Sequence, residues 1–188
     1  MQTNVDQALW AFGRGSGIIA LVMLTVSVVT GIGARSGRTL VLPRFGLAEL
    51  HRGAALIATT LVAVHVLSLL ADPYSQLRLV DVLVPFAGHY RPLWLGLGTV
   101  AVDLLVAIVV SALLRRRLGP GVFRVIHWAT YAFWPVALIH ALGAGTDAGR
   151  PWMLAIAAAC TLTVAAVLAW RISRDFAEFG QAREGSIR

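Results

Sequence analysis

Residues 46–71 read GLAELHRGAALIATTLVAVHVLSLLA. The run is apolar over a length that crosses a bilayer as a helix, for which roughly 20 residues suffice. It carries two histidines, His51 and His65. Their separation makes about 3.9 helical turns, so both imidazoles leave nearly the same face, roughly 21 Å apart along the axis. A second apolar stretch, residues 121–142, repeats the plan with His127 near its start and His140 near its end. Two helices that each offer an imidazole at two membrane depths can hold two metal centres, one above the other.

The rest of the chain agrees with a membrane setting. Of its 188 residues 58% are hydrophobic and only 13% are charged, and the mean hydropathy of +0.77 is not that of a soluble globular protein. The net charge of +7 comes from 16 basic residues, all of them arginine. Because these arginines flank apolar runs, lipid headgroups and topology explain them, and no nucleic-acid partner is expected. The single cysteine, Cys160, lies in an apolar run. It rules out an internal disulfide, a Cys-based zinc cluster and covalent haem attachment through C-x-x-C-H. The first ten residues are polar and carry Asp6, unlike a cleavable signal.

Hydropathy gives five spans: residues 13–34, 46–71, 93–114, 121–142 and 151–172. The expected fold is an all-α integral membrane bundle of five transmembrane helices, two of them bearing histidines. Residues 1–12 form an N-terminal segment and residues 173–188 a polar tail. The GRGSG at residues 13–17 lacks a preceding strand and a P-loop lysine, so it reads as small residues that let helices pack closely. Arg14 within it either snorkels to the interface or partners an anion. The longest connection, residues 72–92, has room for a short interfacial helix in SQLRLVDVLV, and Gly119-Pro120 is a helix stop. Twelve arginines fall on one side of this topology and four on the other. The positive-inside rule then places the N-terminus outside and the C-terminus in the cytoplasm, in an inner (cytoplasmic) membrane. Both histidine helices run outward, which pairs His51 with His127 at the inner face and His65 with His140 at the outer face.

A lone membrane histidine can simply hydrogen-bond a neighbour. Four in two matched pairs argue otherwise, since each ionisable group costs insertion energy. Two imidazoles fill both axial positions of a haem iron, and such a centre passes electrons rather than binding gas.

The segments ELHRGAALIATTLVAVHVLSLLADP and FRVIHWATYAFWPVALIHALGAGTD resemble the ferric reductase-like transmembrane domain. That superfamily includes ferric reductases, NADPH oxidases and the haem subunit of bacterial methionine sulfoxide reductase systems. Its H-x13-H and H-x12-H helices are both matched here. The resemblance covers residues 14–172 and implies two non-covalent b-type haems ligated by His51, His65, His127 and His140, carrying electrons across the membrane. The larger members have six helices and often a C-terminal flavin and nicotinamide domain. Here five helices are expected, and about sixteen residues follow the last with no dinucleotide-binding fingerprint. A separate electron donor is therefore expected, either a flavoprotein (an FMN-binding or reductase partner) or a quinol.

The thirteen-residue step from His127 to His140 makes only about 3.6 turns, which points the two imidazoles apart on a straight helix. Pro135 lies between them and can kink or retwist the segment. Arg52 and Arg124 stand beside the inner histidines, either for haem propionates or as topology-setting charge. Asp103, mid-span, is expected to face the bundle. His89, Tyr90 and Arg91 read as a solvated loop or a substrate group. Trp152 and Trp170 read as interface anchors, Trp128 and Trp134 as packing for the core or a porphyrin edge, and Cys160 as packing. The competing function is a haem-free scaffold or transporter subunit with structural histidines. A metalloenzyme is disfavoured by the absence of H-E-x-x-H.

Overall fold

Backbone amides in hydrocarbon have no water to bond, so apolar runs of this length resolve into helices. The computed structural model describes residues 4–37 and 42–178. Seven helices follow in order: α1 (Asn4–Arg35), α2 (Arg44–Ala71), α3 (Leu79–Leu83), α4 (Pro92–Leu113), α5 (Arg115–His127), α6 (Thr130–Ala144) and α7 (Pro151–Ile172). Among them α1, α2, α4 and α7 are long and apolar enough to cross a membrane, and α5 with α6, bent by 45° at their break, is long and apolar enough as a pair to make a fifth. The chain is an all-α, multi-pass membrane bundle. Proline occupies the first helical position of α4 and α7, where the missing N–H costs nothing.

The expected spans and the observed ones differ in two places. Helix α1 starts at Asn4, nine residues before the apolar run. Its first turn holds Asp6, which suits a helix N-terminus, and Arg14 stacks 3.9 Å over Trp10 one turn earlier. The fourth span is not one helix. Gly119 takes φ 75°, ψ 164°, so the stop expected at Gly119-Pro120 is present inside α5. A second break follows at Trp128–Ala129, about two turns before Pro135. There Ala129 N–H bonds Ile126, Tyr131 bonds Trp128 and Ala132 bonds Ala129, all in the tighter three-residue pattern. Each such residue turns about 120° rather than 100°, and three of them recover roughly 60° of the phase that thirteen residues lack. The retwist is therefore made ahead of Pro135.

The hub of the bundle is α1, which packs against α2, α6 and α7. Half of its apolar span (50%) is buried, against 17–22% for α2, α4 and α7. The core joins Leu24, Val28 and Ile32 of α1 to Ala58, Leu105, Phe133, Trp134, Cys160 and Val164. Within it the Trp134 indole N–H donates to Thr25 Oγ1 at 3.0 Å, and Thr25 donates in turn to the Leu21 carbonyl. Trp134 and Cys160 pack as expected, whereas Trp128 is exposed. Asp103, expected to face the bundle, is also exposed. The buried positions of α4 are Gly96, Thr99, Ala101, Leu105 and Ser111, and a helix turns residue 103 off the side that holds Ala101 and Leu105.

The short helix α3 falls inside the connection expected to hold one. Thr99 Oγ1 donates to the Asp81 carbonyl at 2.6 Å, and Phe86 packs over Gly96, so α3 is pinned to the upper part of α4. The Asp81 carboxylate accepts from the Arg78 guanidinium and backbone N–H, which holds it below the usual carboxylate range. At the opposite end, Gly37 N–H donates to Ala177 O at 2.7 Å and Arg35 pairs with Glu178 at 3.0 Å. The first residues after α7 thus fold back on the end of α1. Arg38, Arg183 and Arg188 lie outside the described residues.

Candidate functional site

The four span histidines come together in two pairs. The rings of His51 and His127 lie 6.0 Å apart at 81°, and those of His65 and His140 lie 6.3 Å apart at 82°. The pairing expected from topology is the pairing observed.

Helix α1, which carries no histidine, holds the two on α2. His65 Nδ1 lies 2.6 Å from the Gly13 carbonyl, and His51 Nδ1 lies 2.8 Å from the Ser27 carbonyl with Ser27 Oγ at 3.1 Å. On α4 the Trp94 carbonyl does the same for His140 Nδ1 at 2.8 Å. A carbonyl only accepts, so each of these Nδ1 atoms carries the proton and leaves Nε2 with a free lone pair.

A glycine stands four residues beyond each accepting carbonyl: Gly17 after Gly13, Gly31 after Ser27, and Gly98 after Trp94. In a helix the carbonyl of one residue lies beneath the residue four further on, and a Cβ there shields it from a second donor. A Cβ built on Gly17 would sit 2.9 Å from His65 Nδ1, one on Gly31 3.0 Å from His51 Nδ1, and one on Gly98 2.6 Å from His140 Cε1. Each imidazole is therefore seated in a notch made by a carbonyl and a missing methyl. Gly13 also lets α1 approach α2, since its Cβ would meet Leu69 at 3.1 Å. Close packing is thus the role of the GRGSG stretch. The notches on α1 repeat with the same spacing as His51 and His65, a signal present in the sequence but carried by residues without chemistry of their own.

His127 differs. Its Nδ1 is buried and has no hydrogen-bond partner among the described residues, and its ring stacks on Phe123 at 5.2 Å.

A cavity of about 470 Å³ surrounds the outer pair, between α1, α2, α4 and α6. Leu21, Leu24, Val62 and Phe133 supply apolar wall, while Arg14 and Asp147 stand at its rim. Arg14 pairs with Asp147, and its Nε is buried without a hydrogen-bond partner among the described residues. Arg52 is largely exposed and lies 3.6 Å from Glu49, and Arg124 is exposed one turn before His127. His89 is exposed and stands apart from the four. No group of three or more His, Cys, Asp or Glu side chains suited to a metal occurs among the described residues.

Stacked pairs of imidazoles between the spans of a helical bundle define a membrane protein with two intramembrane donor sites. The chain belongs to the ferric reductase-like transmembrane component family, whose model matches residues 16–138. The matched region takes in His51, His65 and His127 and stops just short of His140. No curated protein and no solved structure matches the chain significantly.

Proposed function

We propose that the chain is a b-type haem electron-transfer subunit, with one haem between His51 and His127 and a second between His65 and His140. The observation that carries this reading is the donor arithmetic. Each site offers two imidazoles and, among the described residues, no third His, Cys, Asp or Glu ligand, so an ion held there needs a group that brings its own equatorial donors. A porphyrin does so. The spacing fits as well: a metal about 2 Å from each of two imidazole nitrogens puts the ring centres roughly 6 Å apart. The Nδ1-protonated tautomer presents Nε2 for ligation, and a carbonyl acceptor behind the ring raises its basicity. The apolar outer cavity and the unpartnered Arg14 Nε fit a flat apolar group with an anionic edge. Arg52 and Arg124, beside the inner histidines, would serve the same anionic edge at the other end.

When bound, the haems supply reversible one-electron transfer. The chain's own residues bind them, fix the imidazole tautomers and exclude water with the α1–α6 core. The sites are spaced roughly 21 Å along α2, which makes a two-step path through the membrane. We assign the His51 end to the cytoplasm and the N-terminus to the outside, on the arginine bias. Electrons enter from a separate flavoprotein or quinol, with Arg52, Arg115, Arg116, Arg117 and Arg124 offering positive charge to an anionic partner at the inner end.

The test is the visible spectrum and pyridine haemochrome of purified protein. Two b-type haems per chain are expected, with His65→Ala or His140→Ala removing one. NADPH alone should leave both oxidised. A colourless protein would replace this reading with the scaffold alternative.

A further inference from the structure

Three of the four imidazoles have an anchor, and the sequence around the fourth explains why it has none. On α1 the notch repeats after fourteen residues, from Gly13 and Gly17 to Ser27 and Gly31. The same step along α4, from Trp94 and Gly98, arrives at Ile108 and Ala112. There the position that must be glycine is alanine, whose methyl covers the carbonyl. The carbonyl is also already engaged, since Ser111 Oγ donates to Ile108 O at 2.8 Å. The fourth notch is closed twice over. His127 is the last residue of α5, immediately before the break at Trp128–Ala129, and its Nδ1 is buried with no hydrogen-bond partner among the described residues. It is thus the imidazole with the least support, both from a hydrogen bond and from its own helix.

We propose that His127 is the displaceable ligand of the four, so that the inner site is the one that opens a coordination position to a small external ligand. The proposal rests on the two-haem reading. Loss of an outer-shell partner of a ligating histidine typically weakens metal binding about 10- to 100-fold. His51, His65 and His140 are held against that loss and His127 is not. A ligand that competes for ferrous iron should therefore displace His127 first. The chemical class is a small neutral diatomic, which binds ferrous iron without bringing a further charge into the span.

The experiment uses the haem-loaded, dithionite-reduced protein and carbon monoxide as the probe, with haem content measured in parallel. About half the haem should give a carbon monoxide difference spectrum. His140→Ala, which keeps only the inner haem, should retain that response. Ala112→Gly combined with Ser111→Ala, which removes both closures of the fourth notch, should lower the apparent carbon monoxide affinity about 10- to 100-fold while leaving two haems per chain. No response in the wild type, or a response confined to the outer haem, would overturn the proposal while leaving the two-haem reading intact. An unchanged affinity in the Ser111→Ala, Ala112→Gly double variant would overturn the notch as its cause. Haem-free protein would overturn both.

Discussion

The glycine notches can be tested with single methyl groups. Replacing Gly98 by alanine puts a carbon 2.6 Å from His140 Cε1 and 2.8 Å from Nδ1. Carbon contacts are comfortable at about 3.5–4.0 Å, so the ring must retreat by roughly 1 Å. Metal–ligand distances tolerate about 0.2 Å, so a displacement of that size removes the ligand. The same methyl also covers the Trp94 carbonyl that holds Nδ1. Gly98→Ala should therefore lower the haem content from two per chain to one and spare the inner site. Gly17→Ala acts on the same site through His65 at 2.9 Å, and Gly31→Ala acts on the inner site through His51 at 3.0 Å. Both should weaken occupancy less than Gly98→Ala does. Gly15 has nothing within 4 Å of its built Cβ. Gly15→Ala should keep both haems and gain up to about 1 kcal/mol of helix propensity. Pyridine haemochrome analysis and reduced-minus-oxidised spectra of the four variants are the assay. Gly98→Ala with two haems and an unshifted spectrum would refute the notch, as would an equal loss in Gly15→Ala.

Two further outcomes follow from the core and the charge distribution. Thr25→Val removes the acceptor of the buried Trp134 indole N–H and should destabilise the bundle by about 1–3 kcal/mol, seen as a lower melting temperature in detergent, while Thr25→Ser should stay near wild type. A reporter fused after Arg188 should be active only in the cytoplasm, and activity on the outer side alone would reverse the inner and outer labels.

The spans were legible in the sequence because lipid leaves the backbone no alternative. An apolar run of the right length must bond to itself, so α2, α4 and α7 fall where hydropathy puts them. The Gly119-Pro120 stop and the pairing of His51 with His127 and His65 with His140 were legible for similarly local reasons, one from backbone chemistry and the other from helix rise and topology. What a helix faces is another matter. In a soluble protein an apolar stripe marks the buried side, but a span that is apolar all round carries no such mark. The histidines therefore draw attention to α2 and α6, and the hub is the histidine-free α1. For the same reason the direction of Asp103 was misread. The retwist at Trp128–Ala129 lies just ahead of Trp134, which bonds Thr25 of α1, a contact between residues far apart in the chain. The support of the imidazoles was hidden more deeply, because it consists of main-chain carbonyls and absent methyl groups on neighbouring helices. Only when α1 lies along α2, and α4 along α6, do Gly17, Gly31 and Gly98 acquire a partner. That packing is what leaves His127 alone among the four without an anchor.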